Sequence, residues 1–153
     1  MTTSKINYQA LADKIKCWGE ELGFSQVGFS DIDLSSHEKA LTDWLGNNYH
    51  GKMDYMAKHG LMRARVQELV EGTTRVISVR MDYLPPEAKF ALTLKKKDHA
   101  YISRYALGRD YHKLMRKRLK QLGTKIKEHC EELNFRPFVD SAPILERPLA
   151  QKA

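Results

Sequence analysis

Tyr111, Leu114, Met115, Leu119, Leu122, Ile126, Cys130 and Leu133 follow one another at steps of three, four and one, while Arg116, Lys117, Lys120 and Lys127 fall largely outside that stripe. This period puts one apolar face on a helix, and the spacing predicts a helix over residues 110–133 after a break at Gly108. A helix with a single apolar stripe gains most of its stability from what it lies on, so the rest of the chain must supply a second layer.

Several segments can do so. Tyr8, Leu11, Ile15, Trp18 and Leu22 repeat the helical period up to a stop at Gly23. Residues 26–32 alternate Val27 and Phe29 with small or polar residues, as a short strand does. Ser35 and Glu38 have the spacing of a capping box, opening a helix with Leu41, Trp44 and Leu45 on one side and an end in residues 47–51. Residues 52–69 read as two short helical pieces broken near Gly60, and residues 75–83 carry the strongest strand signal. Pro85 and Pro86 end that strand, and the polar residues up to Asp98 read as a surface excursion. Residues 100–104 and 135–139 read as further strands, and residues 146–153 as a helix. Strands alternating with helices predict an α/β or α+β class, a mixed sheet flanked by helices. At 153 residues with 42% hydrophobic content, one domain with a real core is expected. The last helix reaches Ala153 without a cap, which suggests the front portion of something longer.

The net charge of +7 is concentrated. Residues 95–127 hold twelve Lys and Arg against Asp98 and Asp110, a local balance of +10, and the rest of the chain sums to −3. Such a stretch suits a polyanion, with salt-sensitive binding, or it is the solvated face of the long helix. No apolar run exceeds three residues, so no membrane span is expected. Residues 1–8 have neither the apolar core nor the cleavage site of a secretory signal, which leaves the cytoplasm as the expected location. Cys17 and Cys130 are too few for a disulfide framework, a four-cysteine zinc site or an iron–sulfur cluster.

Phosphate-loop, dinucleotide, zincin and nucleophile-elbow motifs are all missing. The six histidines lack a common metal spacing, and His112 and His129 suit surface or capping roles. Asp140 follows an apolar run and precedes small residues and Pro143. Two roles are open to it, a proton-donating acid at a strand end and an N-cap for a segment starting at Ser141; on residue type alone the cap is the ordinary one. The densest polar and aromatic cluster interleaves Tyr101, Tyr105 and Tyr111 with Arg104, Arg109 and His112. It could hold a flat heteroaromatic, amides or phosphates, or its tyrosines could face the core with Asp110 capping the helix.

Two stretches carry a resemblance: Arg-Tyr-Ala-Leu-Gly-Arg-Asp-Tyr-His112 before the long basic helix, and Val-Asp-Ser-Ala-Pro-Ile-Leu-Glu-Arg147. With Val-Gly-Phe29 and Arg65-Val66, they make the chain resemble the N-terminal part of the bacterial epoxyqueuosine reductases over nearly its whole length. The resemblance implies a cobalamin-dependent oxidoreductase that turns epoxyqueuosine in a tRNA anticodon into queuosine. Residues 1–153 would form the cobalamin-binding catalytic domain, and a ferredoxin-like domain with two [4Fe–4S] clusters would follow. Carried over residue by residue, it makes Asp140 the proton donor beside the corrin and reverses the order of its two roles. It also makes Arg65 a cofactor contact, with Ser103, just before Arg104, and Arg147 as further contacts. The implied partners are the tRNA anticodon stem-loop, held through its phosphates by the basic stretch, and an external electron donor. Without the iron–sulfur domain this stretch is expected to be inactive alone. Two other functions remain open: a non-enzymatic basic RNA-binding module, and a corrinoid-binding protein with no tRNA substrate.

Overall fold

A computed structural model describes residues 6–84 and 87–153. In chain order its elements are α1 (Tyr8–Glu21), β1 (Gln26–Ser30), α2 (Ser35–Gly46), α3 (Asp54–Lys58), α4 (Val66–Leu69), β2 (Val76–Arg80), α5 (Phe90–Leu94), α6 (Tyr111–Lys127) and α7 (Glu146–Lys152). Short 3-10 turns cover Gly60–Ala64 and Arg104–Ala106.

β1 and β2 pair antiparallel, with Val27 opposite Val79, Phe29 opposite Ile77 and Ser30 opposite Val76. Strand alternation then assigns the faces. Val27, Phe29, Ile77 and Val79 share one face, and α1 and α6 cover it: Ile15, Val27, Leu122 and Ile126 are buried together, with Leu11, Trp18, Leu22 and Leu133 around them. Gly19 permits this approach, because a Cβ there would lie 2.3 Å from Val27 Cγ2. Gly28, Ser78 and Val76 face the opposite side, where α7 lies. A Cβ on Gly28 would fall 2.7 Å from the Ala153 carbonyl oxygen. A second core of Leu34, Ala64, Val66 and Leu149 sits on this side. Full burial contributes about 1.5–3 kcal/mol for each large aliphatic side chain, so both helical layers are anchored by packing.

The fold is therefore α+β, as expected, but its sheet is a two-stranded antiparallel pair and not a mixed sheet. Residues 100–104 form no strand: Ala100, Tyr101 and Ile102 are consecutive apolar residues without alternation, and all three are exposed. Residues 135–139 form none either, since Pro137 has no N–H to give a ladder. The capping box is also absent. Leu34 is the N-cap of α2, Asp33 Oδ1 accepts the Ser35 N–H at 3.0 Å, and Glu38 turns to Arg65. A guanidinium offering two parallel donors outcompetes a single backbone N–H. Residues 52–69 break at Gly60 as expected, into three pieces and not two. α6 stops at Lys127, short of residue 133, and the chain turns there so that Leu133 packs back onto the first core. The surface excursion contains one helical turn, α5. The expected stop at Pro85 and Pro86 lies outside the described residues. Among the described residues, no helix is long and apolar enough to cross a membrane.

Candidate active site

α6 begins at a built corner. Asp110 is its N-cap: Oδ1 accepts the His112 N–H at 2.9 Å and lies 2.8 Å from His112 Nδ1. One carboxylate thus satisfies a free helix-end donor and fixes the imidazole. The bond from His112 holds the Asp110 carboxyl below the usual carboxylate range. The Tyr111 ring stacks on His112 with centroids 4.2 Å apart.

Asp140 meets this corner from the segment leading into α7. Its φ of 55° lies in the left-handed region, which Asp tolerates better than most residues. Its N–H donates to Glu146 Oε1 at 3.1 Å. Its Oδ2 accepts a short hydrogen bond from the Tyr111 hydroxyl and stands 3.3 Å from His112 Nε2. Asp110 thus orients the His112 ring, His112 stands within ion-pair distance of Asp140, and Tyr111 donates to the same Asp140 oxygen. No described residue bonds Asp140 Oδ1, so one carboxyl oxygen is open to an incoming group. Arg116 Nη2 donates to Ser141 Oγ at 3.3 Å, which ties the next residue to α6. Burial pushes the Glu146 carboxyl up, as does the nearby Asp140 charge, against the lowering effect of the Asp140 N–H.

The Asp140 bond pushes the Tyr111 phenol up to about 12 from 10.0. The fold holds the protonated phenol, so its stabilising contribution is complete below the ordinary value and lost as pH rises through the shifted one. Ultraviolet titration of the tyrosines should show one group ionising near 12, absent from Tyr111→Phe and moved down in Asp140→Asn. A titration unchanged by Asp140→Asn would disconnect the two groups.

The N-cap role for Asp140 is excluded, because no helix starts at Ser141; α7 begins at Glu146 with Leu145 as its cap. The tyrosines do not face the core: Tyr105 and Tyr101 are exposed and Tyr111 is only half-buried, although Asp110 does cap the helix. His112 is drawn into the Asp140 cluster, whereas His129 lies against Trp18, as a surface role suggests. Arg65 is engaged elsewhere, by Glu38 through Nε at 2.7 Å and Nη2 at 3.0 Å and by Glu68 at 3.2 Å, which holds its guanidinium above its ordinary value. Ser103 is exposed ahead of the Arg104–Ala106 turn, and Arg147 is exposed in the first turn of α7. No hydrogen bond or ion pair among the described residues joins Arg65, Ser103, Asp140 and Arg147 to one another. Ser103 and Arg147, both free of side-chain partners among the described residues, could donate to an amide or phosphate. Among the described residues no three His, Cys, Asp or Glu side chains gather as a metal site. The shallow clefts along α6 lie away from Asp140, one lined by Leu22, Lys117, Lys120, Gln121, Thr124 and Lys125.

Sequence reasoning missed Tyr111, His112 and Glu146 as partners of Asp140. The readable signal was Asp110 two residues before His112, a spacing at which a capping carboxylate also reaches the ring.

A family model described as "Epoxyqueuosine reductase QueG, DUF1730" matches residues 63–141, just over half the chain, from Arg63 to just past Asp140. An epoxyqueuosine reductase of Aliivibrio fischeri is 68% identical over 149 residues, covering 97% of this chain and 40% of the relative. Those of Escherichia coli K12 and Pseudomonas aeruginosa are 65% and 58% identical over 148 and 143 residues, covering 97% and 94% of this chain and 39% and 40% of the relatives. The chain thus spans about 40% of the length of these curated relatives. No solved structure matches it significantly.

Proposed function

Because this chain belongs to the epoxyqueuosine reductase family, we propose that it provides the proton-donating, cobalamin-facing part of an enzyme that reduces epoxyqueuosine in a tRNA anticodon to queuosine. One observation carries the reading: the Asp140 carboxyl, held through Oδ2 by Tyr111 and beside His112, with Oδ1 open.

Converting the epoxide to an alkene takes two electrons and two protons and releases the oxygen as water. If cobalamin is held here by Ser103, Arg147 and Arg65, it would supply the two electrons at carbon, and an external donor would replace them. The protein must deliver a proton where the C–O bond breaks, and a carboxylic acid within hydrogen-bond reach does this. In this reading Asp140 protonates the departing oxygen. Tyr111 and His112 are positioning residues that fix Oδ2, and Asp110 fixes the His112 ring.

A corrin has a broad flat face edged with amides. The exposed Ser103 hydroxyl and Arg147 guanidinium suit such an edge. Arg65 fits only by exchanging Glu38 or Glu68 for the cofactor, so it is the least prepared of the proposed contacts. Cys17 and Cys130 are free and cannot ligate two [4Fe–4S] clusters, which in this reading are held outside residues 1–153. The substrate and free thiols suit the cytoplasm. The Lys-rich face of α6 supplies a phosphate-binding surface for the anticodon stem-loop.

The test is nucleoside analysis of tRNA from cells lacking their own reductase and given this protein at its relatives' length, with cobalamin supplied. Queuosine should replace epoxyqueuosine, and residues 1–153 alone should give no conversion. Persistence of epoxyqueuosine despite tRNA binding would favour a non-enzymatic RNA-binding module.

A further inference from the structure

Four rings form an unbroken row that ends at Asp140. Tyr83 meets Tyr105 edge-on with centroids 6.4 Å apart at 78°, and Tyr105 meets Tyr111 the same way at 6.1 Å and 82°. Tyr111 then stacks on His112, and both reach the Asp140 carboxyl. The outer rings are open to solvent, Tyr105 by 54% and Tyr83 by 63%. The Arg104–Ala106 turn fixes Tyr105, with the Leu107 N–H donating to the Arg104 carbonyl at 3.1 Å. Arg104 and Arg109 stand on either side of Tyr105 in sequence, and neither makes an ion pair or a side-chain hydrogen bond among the described residues. Solvent-exposed aromatic rings and unpaired arginines carried on one short segment are how proteins hold unpaired nucleobases and their phosphates.

We propose that Tyr105, with Tyr83 edge-on against it, is the stacking platform for the nucleobase that carries the epoxide, and that Arg104 and Arg109 take the flanking phosphates. The inference rests on the reading of Asp140 as the acid. Epoxyqueuosine bears its epoxide on a small ring joined to the base by a short linker, so the base must lie near the acid but beyond it. Tyr111 is committed to Asp140 and His112. The next ring outward is Tyr105, one ring-to-ring step away.

The test uses the protein at its relatives' length, loaded with reduced cobalamin, in single-turnover reduction over a range of tRNA concentrations. Stacking of one base on an aromatic ring predicts that Tyr105→Ala raises the half-saturating tRNA concentration about 5- to 150-fold, while Tyr105→Phe stays within about twofold of wild type. Cobalamin affinity, read from the corrin absorbance, should be unchanged in both, and the rate at saturating tRNA should fall much less than the half-saturation rises. A Tyr105→Ala protein that loses cobalamin affinity with unchanged half-saturation would assign the ring to the cofactor and overturn the proposal. Wild-type behaviour in both measurements would overturn it too. Failure of the wild type to form queuosine would count against the reductase reading alone, because direct binding of epoxyqueuosine tRNA to the same variants still reads the platform.

Discussion

Asp140→Asn, in the protein at its relatives' length, is expected to slow single-turnover reduction by about 10²–10⁴-fold, the usual worth of a positioned general acid. Cobalamin binding and folding should survive. Asn is as tolerant of the left-handed backbone as Asp, so the φ of 55° is no obstacle. Its amide oxygen can still accept the Tyr111 hydroxyl, and its backbone N–H can still reach Glu146. What is lost is the transferable proton at the open oxygen. Folding should be insensitive to this change, because Asp140 caps no helix. The comparison requires matched cofactor occupancy, and rates within about twofold of wild type would leave Asp140 a purely structural residue.

Leu149→Ala is expected to destabilise the protein by about 2–5 kcal/mol, the range for truncating a large side chain in a closed core. Leu149 is 1% exposed among Leu34, Ala64 and Val66. α7 is only 7 residues long, too short to persist without docking. Its other ties are the Leu145 N–H bond to the Arg63 carbonyl at 2.9 Å and the pairing of Lys152 with Asp31. Because native domains hold only about 5–15 kcal/mol in reserve, the change uses a large fraction of the total. It should also reduce activity, because α7 carries Glu146, which accepts the Asp140 N–H. Leu114→Ala, at a residue 44% exposed on α6, is the control and should cost far less. Equal urea midpoints for the two variants would contradict the docking of α7 through Leu149.

Local patterns were readable where packing follows period. Leu11, Ile15, Trp18 and Leu22, Leu122 and Ile126 of α6, and the alternating Val27, Phe29, Ile77 and Val79 meet in the first core as their periods imply, while Tyr8 and Leu114 of the same stripes are exposed. Patterns failed where a distant group decided the outcome. Glu38 has the spacing of a capping box, but its partner is Arg65, 27 residues away. The apolar run ending in Val139 has strand composition, yet Pro137 denies it a ladder donor, and Asp140 therefore sits in an irregular segment. Asp140 itself was legible through family likeness, while residue type favoured a helix cap. The Tyr111–Asp140 bond spans 29 residues and leaves no periodic trace, so the sequence leaves open whether the tyrosines of that segment face the core or a ligand. The polar and aromatic composition of residues 101–112 and the Asp110–His112 spacing are the local hints of the site.

In the proposed function this protein takes part in cobalamin-dependent reduction of epoxyqueuosine. The most direct test of that function is a single-turnover reaction of epoxyqueuosine tRNA with the wild-type protein at its relatives' length, given reductant with or without cobalamin, with nucleosides identified by mass spectrometry. The account predicts queuosine in an amount that follows cobalamin occupancy and none without the cofactor. Equal conversion without cobalamin, or none with the cofactor bound and reduced, would contradict it.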